Sequence, residues 1–177
     1  MNGTTRNLKH PVWDLYDLYR DVRFSVLYYA EKLSKYKLQN SIFEIVLAAT
    51  TSTSAIAILW LWETQLGQEI WKYILVASAL IATIKPVIKL TEKIQKYEKT
   101  LTGYRTLYKD LTLIINQVKQ SEEYAPVHKN KFVEVSTKEG ELAMDSPEIV
   151  FNEKIEERCK KQVEIELPSD RFFIPKD

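Results

Sequence analysis

Two apolar blocks stand out along the chain. The first, Ile45–Trp62, has eighteen residues without a charge, about the minimum for a helix that crosses a hydrocarbon core of roughly 30 Å. The second has only twelve uninterrupted residues between Lys72 and Lys85. Because lysine ammonium groups can extend to the membrane interfaces, this helix can still be long enough to span. The pattern predicts two spans, at about residues 42–62 and 70–90.

Heptad spacing flanks both blocks. Apolar and tyrosine residues recur at alternating intervals of three and four, which is typical of helices that pack along one seam. The residues are Leu15, Tyr19, Val22, Val26, Tyr29, Leu33 and Tyr36 before the first block, and Val87, Leu90, Ile94, Tyr97, Leu101, Tyr104, Tyr108, Leu111, Ile115 and Val118 after the second.

These two seams leave the hairpin on the same side, so the simplest arrangement is an antiparallel stalk, each arm roughly 35 to 50 Å long. Tyrosine is frequent in both seams, which makes the stalk wider than a leucine zipper and able to hold more than two helices. Pro86, at the start of the second arm, predicts a kink or a new helix start.

The C-terminal residues predict short helices and an extended tail. Pro126 is expected to open a helix to about Leu142. Ser146 is expected to cap a second helix that has Pro147 at its first position and continues to about Ile165. In the ending LPSDRFFIPKD, two prolines surround an aromatic pair. This pair, Phe172 and Phe173, is predicted to dock on the stalk or on a neighbouring subunit.

The predicted fold class is therefore all-α, a two-span transmembrane helical hairpin with long heptad-patterned cytoplasmic helices that form a stalk, plus short C-terminal helices. Three regions follow from the patterns. Residues 1–11 are a flexible N-terminus, residues 12–120 are the helical two-transmembrane domain, and residues 121–177 are cytoplasmic C-terminal helices and an extended tail.

Charge distribution predicts the orientation. Lysines flank both blocks on the stalk side, whereas the connection ETQLGQE has two acids and no base. The positive-inside rule then places both termini in the cytoplasm of a multi-pass inner-membrane protein. The start of the chain has no apolar segment typical of a secretory signal. A formal net charge of +1 argues against nucleic-acid binding.

Five adjacent hydroxyl residues interrupt the first block, Thr50, Thr51, Ser52, Thr53 and Ser54. In one interpretation they bond to carbonyls one turn back, and small residues four apart let helices pack closely. In the other, the run covers all sides of the helix, so some hydroxyls face a neighbouring subunit or line a pore formed by several hairpins. Two spans alone cannot enclose a channel. Both interpretations remain open from the sequence.

Ionisable residues at membrane depth are candidates for function. Glu44 lies on roughly the same helix face as Thr51, and Lys85 is at a similar depth on the other span. The two are predicted to form the cytoplasmic mouth of the pathway and to pair in a closed state.

Motifs for catalysis or cofactors are missing. The four glycines are isolated, so no phosphate-binding loop is present, and the two histidines are far apart in sequence. Basic neighbours of Cys159 are insufficient without a motif. We therefore expect no enzyme activity, no cofactor and no metal.

A family resemblance follows from the outline. The tyrosine-rich helix RFSVLYYAEKLSKYKLQNSIFEIVLAA, the tight hairpin and the long helix KPVIKLTEKIQKYEKTLTGYRTLYKDL together resemble the SLATT families, bacterial two-transmembrane effector domains. The resemblance covers about residues 12–120 and is carried by architecture and tyrosines rather than by a diagnostic residue. The ending LPSDRFFIP is similar to the tails of short stand-alone members.

This resemblance implies a membrane effector of prokaryotic conflict systems that limits phage spread. Such an effector permeabilises or depolarises the inner membrane once a partner senses invasion, often through a nucleotide signal. No sensor domain is recognised in the chain, so we expect a homo-oligomer whose separate partner acts on the seam of Tyr97, Tyr104 and Tyr108. The alternatives are a membrane anchor that recruits a soluble enzyme through its C-terminal helices, and a holin-like lysis protein.

Overall fold

The computed structural model describes residues 9–51 and 64–175. Across these residues the chain is helical, with no strand, and the all-α prediction is confirmed. The helices are α1 (Val12–Thr51), α2 (Gln65–Ile88), α3 (Leu90–Ser121), α4 (Pro126–Met144) and α5 (Glu153–Glu166), followed by a 3₁₀ turn at Ser169–Arg171.

The chain divides into two compact units. One unit contains the residues up to Lys32 and those from Lys96 onward, and the other contains Leu33–Gln95. Both α1 and α3 contribute to each unit. The C-terminal helices belong to the first unit, because they pack on the same helices that form the predicted stalk.

In the first unit the helices pack antiparallel. Tyr19 pairs with Tyr108 and Tyr29 with Tyr104, so α1 and α3 run in opposite directions, as predicted for the stalk. Helix α4 runs antiparallel to α3, since Lys131 bonds to Gln117 and Leu142 approaches Gly103. Two ion pairs, Arg23–Glu166 and Glu31–Arg158, align α5 antiparallel to α1.

The core of this unit is wider than one heptad seam. Most predicted seam positions are buried, but so are Tyr16 and Tyr28 on α1 and Leu107 and Ile114 on α3. These extra positions are buried because α1 and α3 each have a second neighbour. The C-terminal helices contribute Val135, Ile155, Cys159 and Val163 to the core.

Two helix starts of the first unit use side-chain caps. His10 is buried, and its Nδ1 accepts a hydrogen bond from the Val12 backbone N–H at 3.1 Å, at the first turn of α1. Asn152 caps α5 by accepting from the Ile155 N–H at 3.3 Å. The predicted cap at Ser146 is wrong, because residues 145–152 form a loop whose polar groups bond to tyrosines of α1 and α3. Those tertiary hydrogen bonds outweigh the local preference for a helix.

In the second unit, α2 starts at a threonine cap and ends at a left-handed residue. Thr64 accepts a hydrogen bond from the Gly67 N–H at 3.1 Å, and Lys89 has φ of 52° between α2 and α3. The helix passes through Pro86, so the interruption falls three residues after the predicted position. Val87, predicted on the seam, is exposed because it precedes this interruption.

Most of the α2 surface is apolar and exposed. Its exposed residues include Tyr73, Leu75, Val76, Leu80 and Ile84, whereas Ser78 is buried. Of the helices in the described part, Gln65–Ile88 is long and apolar enough to cross a membrane. The first predicted span, 42–62, lies partly outside the described residues.

Two helical glycines provide a matched test of the α3–α4 packing. A Cβ added at Gly103 would lie 2.8 Å from Leu142 Cδ2, whereas one at Gly140 would meet nothing within 4 Å. Gly140→Ala should raise the free energy of unfolding by about 0.8 to 1 kcal/mol through helix propensity. The free energy of unfolding of Gly103→Ala should rise less than that of Gly140→Ala, because the terminal methyl groups of Leu142 must shift to admit the new Cβ.

Urea unfolding followed by circular dichroism in a mild detergent measures both variants. Equal stabilisation by the two substitutions would contradict the close approach of α3 and α4.

Candidate functional site

The predicted pair at membrane depth is brought together within the second unit. Lys85 Nζ lies 3.2 Å from Glu44 Oε1, and Asn40 Nδ2 donates to the same carboxylate oxygen at 3.0 Å. The two side chains differ in exposure, 25% for Lys85 and 60% for Glu44. Lys85 is thus mostly covered, whereas more than half of the Glu44 side chain is exposed on the isolated chain.

Of the hydroxyl run, little can be placed. Thr50 and Thr51 belong to α1, but their side chains lie outside the described part, and Ser52, Thr53 and Ser54 fall between the two described ranges. Helix packing and pore lining by this run therefore both stay predictions.

Tyrosines predicted to transmit the trigger pair with tyrosines of α1. Tyr108 stacks on Tyr19 with ring centroids 4.7 Å apart, and the Tyr19 hydroxyl donates to the Tyr108 hydroxyl at 2.8 Å. Arg23 lies 5.3 Å from the centroid of the Tyr108 ring. Burial, then the hydrogen bond with Tyr19, raises the pKa of Tyr108. This pair joins α1 and α3 by ring contact and by a polar bond.

A second group contains Tyr29, Tyr97 and Tyr104. Tyr104 is buried and stacks on Tyr29 at 5.5 Å, while Tyr97 meets the edge of Tyr29 at 5.9 Å. Burial raises the pKa of Tyr104 to about 12, so its hydroxyl stays protonated at neutral pH. Tyr97, Tyr104 and Tyr108, the predicted positions, thus all contact α1. The hydroxyl of each must find a polar partner in the core.

A carboxylate that the sequence interpretation missed organises this region. We call the group of Tyr28, Lys32, Tyr97 and Glu148 the Glu148 cluster. The hydroxyl groups of Tyr28 and Tyr97 donate to the two Glu148 oxygens, and Lys32 Nζ lies 2.5 Å from Oε1. One acid of the α4–α5 loop therefore ties α1 to α3.

The surrounding loop groups are bonded as well. The Tyr29 hydroxyl pairs with Ser146 Oγ at 2.5 Å, and the Asn152 N–H donates to the Tyr28 hydroxyl at 2.9 Å. In the sequence, the signal is limited to an acid in a Ser-Pro-Glu segment and tyrosines on two helices. Because no local spacing links Glu148 to Tyr28, the cluster could not be predicted.

Electrostatics hold Glu148 in its ionised form. Burial alone would raise its pKa, but the hydrogen bonds from Lys32, Tyr28 and Tyr97 outweigh burial and lower the pKa below 4.5. A carboxyl group whose pKa is lower in the folded chain than in the unfolded chain stabilises the folded state at pH values above its unfolded pKa. This contribution is lost as the pH falls through its folded pKa.

The C-terminal tail docks on α1 of the same chain. Phe172 stacks on Tyr16 with ring centroids 4.2 Å apart and meets Trp13 edge-on at 6.4 Å. The Tyr16 hydroxyl donates to the Phe173 backbone carbonyl at 2.6 Å. Of the predicted aromatic pair, Phe172 thus contributes its ring and Phe173 contributes its backbone.

An open cavity of about 710 Å³ lies among α1, α3, α4 and α5 of the first unit. Phe24, Phe151 and Tyr104 give it an aromatic part. The charged lining residues are five carboxylates, Asp17, Asp21, Glu139, Glu156 and Glu164, and two cations, Arg20 and Lys160.

The pKa is raised for two of these carboxyl groups. Burial, then the charge of Asp17, raises the pKa of Asp21, and burial, then the charge of Asp21, raises the pKa of Glu139. The excess of negative charge makes the cavity unfavourable for a phosphate-bearing ligand. Among the residues that the structure describes, no group of three or more His, Cys, Asp or Glu side chains could hold a metal ion.

Comparison with known proteins finds no match: no family model fits the chain, and no curated protein or solved structure is significantly similar to it.

The Glu148 cluster predicts an acid-sensitive contribution to stability. Glu148→Gln removes the ion pair and weakens two tyrosine bonds, and should lower the free energy of unfolding at pH 7 by about 1.5 to 3 kcal/mol, typical of hydrogen bonds to a charged group. Stability should also fall less steeply below pH 4.5 than in the wild type, because the variant lacks the titrating group.

Glu134→Gln is the matched control, since Glu134 is exposed and pairs with Lys138 on the same helix. Urea unfolding at pH values between 7 and 3 measures the difference. An acid limb of equal slope in wild type and Glu148→Gln would contradict the assignment.

Tail docking predicts unequal effects for the two phenylalanines. Phe172→Leu removes an aromatic stack and should cost about 0.5 to 1.5 kcal/mol of stability. Phe173→Leu keeps the backbone carbonyl that Tyr16 bonds, so it should be closer to neutral. Thermal unfolding of both variants tests this, and a larger loss in Phe173→Leu would be inconsistent with the observed docking.

Proposed function

We propose that the chain is a membrane effector of a prokaryotic defence system, which oligomerises in the inner membrane and permeabilises or depolarises it when triggered. In this proposal the protein is not an enzyme. The hairpin of two spans, 42–62 and 70–90, forms the membrane part, and both termini are cytoplasmic. The helices of the first unit receive the trigger.

The observation that carries the proposal is the exposure of Glu44. An ionised carboxylate is unfavourable against lipid tails, and ionisable residues in membrane segments face a protein interior or a water-filled cavity. Glu44 bonds to Lys85 but is 60% exposed on the isolated chain. In a membrane, that face would need a neighbouring subunit or water, which supports an oligomer with a polar pathway.

The apolar surface of α2 supports the membrane location. Its exposed Leu75, Val76, Leu80 and Ile84 would be covered by lipid or by neighbouring hairpins. The lysines in the last turn of this helix and after it, at positions 85, 89, 93, 96 and 99, suit a cytoplasmic leaflet.

The charge of the cavity in the first unit indicates which kind of trigger it could bind. Five carboxylates against two cations disfavour a nucleotide there, because phosphate groups would be repelled. A separate partner protein that acts on the helices around the tyrosine seam is therefore the better candidate for the signal than a nucleotide bound in this cavity.

The anchor alternative remains a distinct proposal. It assigns recruitment of a soluble enzyme to the C-terminal helices and the tail. Phe172 is already stacked on Tyr16 of its own chain, which makes the tail less suited to capture a partner without rearrangement. A holin-like lysis protein is the other alternative, and killing without any partner gene would favour it.

The Glu44–Lys85 pair predicts a leak in single-charge variants. If the pair closes the pathway, Glu44→Gln should raise resting ion permeability without a trigger, because Lys85 loses its partner. The double exchange Glu44→Lys with Lys85→Glu should return permeability towards the wild-type value. A potential-sensitive dye reports this in cells and in proteoliposomes.

Glu69→Gln is the control, because Glu69 pairs with Lys72 on the same helix and outside the apolar stretch. It should behave like the wild type. Equal permeability of wild type, Glu44→Gln and the double exchange, with and without the partner, would contradict the gating role and favour the anchor.

A further inference from the structure

The cavity of the first unit has the size and the lining of a ligand site. Its volume of about 710 Å³ lies within the usual range of small-molecule pockets, roughly 300 to 1,000 Å³. All of its lining residues belong to the first unit. Phe24 and Phe151 form an aromatic wall, with ring centroids 5.4 Å apart in an edge-to-face arrangement. The cavity therefore offers apolar surface as well as charge.

The negative charge of the lining is not balanced. Lys160 Nζ lies 2.6 Å from Glu156 Oε1, so these two charges offset each other. Arg20 Nε is buried and has no hydrogen-bond partner in the part of the chain that the structure describes. This guanidinium is the one other cation in the lining, and it faces four more acids, Asp17, Asp21, Glu139 and Glu164. The cavity is therefore suited to a ligand that brings positive charge.

Asp21 carries the effect of this imbalance. Burial, then the charge of Asp17, raises the pKa of Asp21, although the charges of Arg20 and Lys160 oppose the rise. On α4, burial, then the charge of Asp21, raises the pKa of Glu139. Both carboxylates are thus ionised at a cost in the empty cavity. A cation beside them would lower both pKa values, and the carboxylates would in return stabilise the bound cation.

The spread of the carboxylates selects the kind of cation. Among the described residues, no group of three or more His, Cys, Asp or Glu side chains could hold a metal ion, so these acids do not converge on one small cation. An amine or guanidinium group can pair with separate carboxylates. Its apolar stem can pack on Phe24 and Phe151, and a cation over these rings gains a further attraction.

We propose that the cavity binds an organic cation, an amine or guanidinium carried on an apolar stem. Asp21 and Glu139 pair with the charged group, and Phe24 and Phe151 hold the stem. Two sources share this chemistry, a free di- or polyamine and a lysine or arginine side chain of a partner protein. The site lies wholly within the first unit, so the inference does not rest on the membrane location or on permeabilisation. Under the proposed function, this cation is the trigger.

Isothermal titration calorimetry on the full chain in a non-ionic detergent tests the site with three probes. Agmatine represents a free amine, Nα-acetylargininamide represents an arginine side chain of a protein, and butylurea is the uncharged control. The cavity variants are Asp21→Asn and Glu139→Gln. Glu134→Gln is the matched control, because Glu134 lies on the same helix as Glu139, pairs with Lys138 and does not line the cavity.

We expect a cationic probe to bind the wild type and butylurea not to bind. The Kd of the cation should rise about tenfold in each cavity variant, typical of losing one charge partner in a partly buried site, and should stay unchanged in Glu134→Gln. The melting temperatures of Asp21→Asn and Glu139→Gln should equal or exceed that of the wild type, because each removes a charge that is costly in the folded chain. Weaker binding would then not reflect unfolding.

The two cationic probes separate the sources. Tighter binding of agmatine supports the site and indicates a free amine, whereas tighter binding of Nα-acetylargininamide supports the site and indicates a side chain of a partner. Three results would overturn the proposal: no binding of either cation, equal affinity in the wild type and both cavity variants, or equal affinity for butylurea. None of them decides permeabilisation, which the Glu44 variants test separately.

Discussion

Tyrosine rings packed between α1 and α3 must place their hydroxyl groups on polar partners, and the first unit is arranged around this requirement. Tyr19 and Tyr108 satisfy each other, whereas Tyr28 and Tyr97 converge on Glu148. The loop between α4 and α5 is thereby fixed to both helices. Removing such a carboxylate would leave buried hydroxyls with weaker partners, which costs more than the bonds contribute in net terms.

A complementary constraint acts on the second unit, where charge rather than hydroxyl groups needs partners. Lys85 is covered and bonded to Glu44, and the exposed side of that carboxylate is left to the surroundings. The apolar α2 surface and the polar outer side of Glu44 would be satisfied together by a ring of hairpins with lipid outside and water or protein inside. The permeabilising function that we propose depends on this arrangement.

Periodicity was sufficient to predict the helices and the antiparallel pairing of α1 with α3, because heptad spacing reports directly which residues are buried. Pro126 predicted the start of α4, and the end predicted at Leu142 lies two residues before the observed end at Met144. Periodicity did not predict the loop at 145–152, where Ser146 and Pro147 resemble a helix start but Glu148 is bonded to helices more than fifty residues away. Contacts of such long range leave no local spacing in the sequence.

The number of copies in the assembled complex is the most direct test of the central claim, that the polar side of Glu44 faces other subunits or a water-filled path. Native mass spectrometry of the protein extracted in mild detergent gives this number. A closed ring of several copies is the predicted result. A monomer or dimer that persists when the neighbouring gene product is present would contradict a preassembled pathway.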